Sequence, residues 1–134
     1  MRLVVGLLSV VALAFAVPAA ADPPTAFPFE FVFDDVNPCT GDVMTVTIAG
    51  TDFVHFHGSR IVARSERTIT TSDGSVGHGT SSFVANGQIV KDRFTDIMTN
   101  TSGGYHFRAR GVFVLDISTE TVRVDRFELT CLGP

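Results

Sequence analysis

A chain of 134 residues with 14 acidic and 10 basic side chains, net charge −4, sets the first limits. The length is that of a single domain, and an acidic balance with dispersed arginines argues against nucleic acid and against anionic membrane surfaces as partners. Two cysteines without a CxxC pair argue against a zinc knuckle.

Arg2 precedes the uncharged run "LVVGLLSVVALAFAV", and Ala19 and Ala21 supply the small residues of a cleavage site. Residues 1–21 therefore read as a secretory signal peptide cut after Ala21. The run ends at Pro18 and is short for a membrane span of ~20 residues. The expected product is one extracellular domain, residues 22–134, with no stable membrane insertion after cleavage. In an exported protein the even pair Cys39 and Cys131 reads as one disulfide. Closing so long a loop contributes about 4–5 kcal/mol by the chain-entropy argument.

The remainder holds eleven phenylalanines, only three leucines and five alanines. Aromatic and β-branched residues favour pleated sheet, and good helix formers are scarce. Turn residues divide the chain into strand-length pieces. "AFPFEFVF" (26–33) alternates, and Pro28 suits an edge strand. "DDVNPCTGD" (34–42) is a loop, and "VMTVTI" (43–48) is a strand leading to Gly50 and "DFVHFHGS" (52–59). "RIVARSERTITT", "GHGTSSFV", "IVKDRFTDIMT", "YHFRARGVFVLD" and "TVRVDRFELTC" complete the set. Asn86-Gly87 predicts a type I′ hairpin. The expected fold is all-β: about eight antiparallel strands in a small up-and-down β-barrel, lipocalin-like or cyclase-like, with a β-sandwich as the competitor.

The segment Asn37-Pro38-Cys39-Thr40-Gly41-Asp42, followed by a valine/threonine strand and Gly50-Thr51, resembles a group of uncharacterised secreted actinobacterial proteins. The resemblance implies a small β-barrel and brings no assigned reaction.

His55 and His57 share one side of their strand, the spacing of a metal-binding pair. Read as one strand bent at Gly50, residues 43–57 turn Met44, Val46, Ile48, Val54 and Phe56 to the core and both histidines outward. A bulge or hairpin at Gly50 would carry the histidines inward. A metal site would also need a third ligand, such as His78, His106 or Glu66. No metal site is assigned, and His55 and His57 stand as weak candidates.

"YHFRARGVFVLD" has a clean apolar side, Tyr105, Phe107, Ala109, Phe113 and Leu115, opposite His106, Arg108 and Arg110. The neighbouring strands carry charge on both parities. One reading has strands running from a packed waist to solvated ends. The other has a partly polar lumen in which Arg93, His106, Arg108 and Arg110 meet a ligand. There is no GxSxG motif and no phosphate-cradling loop, so no catalytic residue is assigned and no cofactor is expected. The expected function is a barrel binding a small, largely apolar ligand. The alternatives are a barrel enzyme, metal-dependent through His55 and His57 or cyclase-like, and a module acting through its outer surface.

Overall fold

The computed structural model describes residues 22–134, so the expected signal peptide lies outside the described residues. Every element is a strand: β1 (Thr25–Val36), β2 (Val43–His57), β3 (Arg60–Thr71), β4 (Val76–Asn86), β5 (Ile89–Asn100), β6 (Tyr105–Asp116) and β7 (Thr121–Gly133). They form one antiparallel sheet in chain order. The all-β expectation holds.

Seven strands stand where about eight were expected, because β2 runs unbroken through Gly50. Gly50 pairs in register with Phe29 on one side and Arg67 on the other. A Cβ there would strike the Glu66 carbonyl and Arg67, so this glycine serves close approach of two backbones rather than a strand break. The sheet is a single layer, not a sandwich. Among the described residues no ladder joins β1 to β7, so the sheet is not closed into a barrel.

The hairpins explain part of the register. Asn86 is still paired, to Ile89, and the β4–β5 loop is Gly87-Gln88. Only Gly87 has positive φ, 59°. Type I′ needs positive φ at both central residues, whereas a leading glycine is the mark of type II′. Asn86-Gly87 thus predicted the hairpin but not its turn.

Pairing puts one parity of each strand on a common inner face. Met44 and Val46 of β2, Ile69 of β3, Met98 of β5, and Phe107 and Ala109 of β6 bury one another in a single cluster. Side chains from β2 and β6 can meet only because long, twisted strands coil the sheet upon itself. Phe33 of β1 and Phe127 of β7 border the same interior, so the two edges face each other across an open seam. Phe31 (60% exposed) and Phe127 (57%) point inward yet stay accessible there.

One end of the coil is plugged. Asn37 and Ser75, from two connections, and Asn100, at the end of β5, are buried polar residues. The Asn37 amide donates to Asp73 at 2.6 Å and to the Tyr105 hydroxyl at 2.9 Å. The Asn100 amide donates to the Asp73 carbonyl and to Ser75 Oγ at 3.0 and 3.2 Å. Asn37 also accepts the Cys39 backbone N–H, and Gly41 completes the loop with φ 80°. Cys39 is joined to Cys131 of β7, with Cα atoms 4.9 Å apart. The Asn-Pro-Cys-Thr-Gly-Asp segment therefore builds the stopper of the sheet. At the opposite end, with the β2–β3, β4–β5 and β6–β7 hairpins, the polar contacts are more local: buried Asp116 accepts from Ser118 and Arg123, and the Ile117 N–H donates to the Gln88 carbonyl at 2.7 Å.

Candidate functional site

Above the plug the interior changes character in layers. The apolar cluster comes first, and the next inward positions on β3 and β5 are charged. Arg67 stands on the parity of Ile69, and Asp96 on that of Met98. Arg67 Nε and Nη2 donate to the two carboxylate oxygens of Asp96 at 2.8 and 2.9 Å. Asp96 is buried, at 4% exposure, and Arg67 is largely withdrawn from solvent, at 12%. The guanidinium also lies 4.8 Å above the Phe94 ring, a cation–π contact that helps hold a desolvated cation.

Two glycines make this layer possible. Gly79 faces Asp96 across the β4–β5 ladder, and Gly111 faces Phe94 across β5–β6. A Cβ at Gly79 would overlap the Asp96 carboxylate, and one at Gly111 would overlap the Phe94 ring.

Asp92 follows Phe94 on the inner face of β5. Burial pushes its carboxyl above the usual range, and the neighbouring Asp52 charge adds to that, against the Arg93 backbone N–H and the Arg67 charge. Its Oδ1 is buried without a hydrogen-bond partner. Burial likewise raises Asp96, with Arg67 opposing it. Ser65 and Ser81, paired across β3–β4, share a short hydroxyl contact at the same level.

Two spaces meet at this layer. The smaller, about 220 Å3, lies over the apolar cluster. The other, about 360 Å3, opens away from the plug and has apolar walls from Phe29, Phe31, Val54, Ile61, Ala63 and Phe83. Arg67 and Asp92 border both. The arrangement gives an apolar chamber with a hydrogen-bonding floor.

The residues singled out from sequence lie elsewhere. Arg93, His106, Arg108 and Arg110 all sit on the outer face, opposite Val112, Thr99, Ile97 and Thr95. Arg110 donates to Glu128, with Arg108 3.7 Å from the same carboxylate. The His106 ring meets Thr99 Oγ1 at 2.9 Å through Nδ1. Arg93 and Arg110 border an open depression beside β7, away from the chamber floor. His55 and His57 also face outward, as the single-strand reading requires, their rings stacked 6.0 Å apart. His78 and His106 stand on other strands, opposite Thr68 and Thr99. Among the described residues no three His, Cys, Asp or Glu side chains gather as a metal site.

Sequence reasoning missed Arg67, Asp92 and Asp96. The signal was their parity: each shares a strand face with apolar residues such as Ile69, Phe94 and Met98, where a solvated charge has no place.

Comparison with known proteins gives no match to a family model and no significant match among curated proteins or solved structures. Among the described residues no helix is long and apolar enough to cross a membrane.

Proposed function

We propose that this chain is a binding protein for a small, largely apolar ligand, held inside an incompletely closed β-barrel. The observation that carries the reading is the chamber of about 360 Å3 with aromatic and aliphatic walls above a floor of Arg67, Asp92, Ser65 and Ser81. Its volume falls within the roughly 300–1,000 Å3 of small-molecule sites, which pair apolar lining with a few placed polar groups. The apolar walls would supply affinity, and the floor would orient one polar end of the ligand.

Native mass spectrometry of the purified protein, with titration by a neutral environment-sensitive dye, tests this. Retained organic mass and saturable dye binding are expected, and Val54→Trp should abolish both while leaving the fold intact. Absence of retained mass, together with dye binding that Val54→Trp does not change, overturns the reading.

One observation favours a second reading, an enzyme of the same architecture. A carboxyl raised by burial beside a second carboxylate, as Asp92 is beside Asp52, is the pattern of a general acid or base. Chemical change of a co-purified ligand on incubation, lost in Asp92→Asn while binding persists, would distinguish the enzyme from the binder.

A further inference from the structure

The net negative charge of this chain conceals a segregation of sign across the sheet. Residues 22–134 contain nine cations. Arg67 is turned inward against Asp96, Arg108 and Arg110 share Glu128, and Arg123 is paired with Asp116. The other five, Arg60, Arg64, Lys91, Arg93 and Arg126, are exposed and, among the described residues, make no ion pair.

All five stand on the outer face. Arg64 pairs with Ser82, Ser82 with Arg93, Arg93 with Val112, and Val112 with Arg126. Three arginines thus form one row across five strands, one cation on every second strand, about 10 Å apart. Lys91 lies in the adjoining row between Val84 and Val114, and neither row contains an acid. Of the acids at these levels, Asp52 and Asp92 point into the interior and line the chamber, and Asp125 is exposed beside β7, where it shares an open depression with Arg93 and Arg126. On the plug side the next row holds Glu66 and Glu128, the latter already engaged by Arg108 and Arg110.

We propose that the outer face of β3, β5 and β7 docks a flexible, sparsely charged polyanion, an acidic polysaccharide. Charge complementarity selects the sign, and geometry selects the class. The sheet coils until residues of β2 and β6 share one core cluster and line one space, so outward directions diverge from β3 to β7. A flat anionic membrane meets only part of such a row, whereas a flexible chain follows it around the curve. Nucleic acid carries a phosphate every ~3.4 Å along each strand, far denser than one cation per about 10 Å. A polysaccharide with one acid on every second sugar has the sparser spacing this row presents.

The probe is hyaluronan, whose carboxylates fall on alternate sugars, with oligothymidylate and phosphatidylglycerol vesicles as competing classes. Binding to the protein is measured at low salt and again at about 200 mM salt. Hyaluronan is expected to bind most tightly, to weaken as salt rises, and to lose at least tenfold in affinity in Arg64→Glu/Arg93→Glu/Arg126→Glu. The milder Arg64→Gln/Arg93→Gln/Arg126→Gln should weaken it by a smaller factor, with thermal melting checking that each variant folds. No binding at low salt, a folded triple variant of unchanged affinity, or preference for the oligonucleotide or the vesicles overturns the proposal.

Discussion

Arg67 and Asp96 face each other inside the coiled sheet in a two-bond fork, at 2.8 and 2.9 Å, with Asp96 buried and Arg67 only slightly exposed. Such a pair gives little net stability against an apolar replacement, but breaking it strands a buried charge. Arg67→Ala is expected to destabilise the protein by about 3–5 kcal/mol in urea unfolding. Arg67→Met/Asp96→Leu should recover most of that loss. A double variant as unstable as the single one would mean that the pair itself holds the fold.

Asp92 sets a pH dependence of definite sign. Its folded-state carboxyl titrates above its usual value, mainly through burial, so the folded protein holds that proton more tightly than the unfolded chain. The associated stability is present at low pH and is lost as pH rises from about 3.9, the unfolded value, through the raised folded value. Asp92→Asn removes this loss. Denaturation midpoints of wild type and variant should therefore diverge in favour of Asn between about pH 4 and neutrality. A gap that is widest in acid would reverse the sign and contradict the account.

Asp73 behaves in the opposite way at the plugged end. Burial works to raise its carboxyl, but hydrogen bonds from Thr71, Ser75 and Asn37 hold it well below the ordinary range. The stability it contributes is present above the unfolded value near 3.9 and disappears as pH falls through the depressed folded one. Because the group is exposed, solvent discounts the effect, and Asp73→Ala is expected to cost roughly 1–2 kcal/mol at neutral pH. Acid unfolding followed by circular dichroism should start at higher pH in the variant if the loop withstands the substitution.

Gly79 and Gly111 offer a steric test. Alanine at Gly79 displaces the Asp96 carboxylate, and alanine at Gly111 displaces the Phe94 ring. Each should lower stability by about 1–3 kcal/mol, the usual range for overpacking. His55→Ala and His57→Ala, both changes on the outer face, should stay within about 0.5 kcal/mol. Equal losses at all four positions in thermal melts would show that the interior is not close-packed at this layer.

Alternation carried much of the architecture in the sequence. The parity of residues 43–57 put Val54 and Phe56 on the inner side and both histidines on the outer, though Phe56, expected in the core, is 61% exposed near the end of β2. That of residues 105–116 placed Phe107 and Ala109 in the core. Gly50 was ambiguous, because a glycine in a strand marks either a break or a close approach, and only the partner strand decides. The charged floor was hidden for a related reason. Parity assigns Asp92 and Asp96 to the inner face, but the level at which they meet Arg67 depends on the stagger of three strands. The glycine that receives Asp96 lies on another strand, seventeen positions earlier in the chain.

The order of the sheet has a consequence for how it is made. Each strand pairs only with its neighbours in sequence, so every ladder closes over a connection of a few residues. Assembly can proceed hairpin by hairpin, without any strand waiting for a distant one. The bond between Cys39 and Cys131 breaks that local pattern, with its partners 92 positions apart and Cys131 in the last strand. It is a clasp that can be fastened only after the last strand arrives. A chain truncated before β7 would leave Cys39 unpaired within the loop that plugs the sheet.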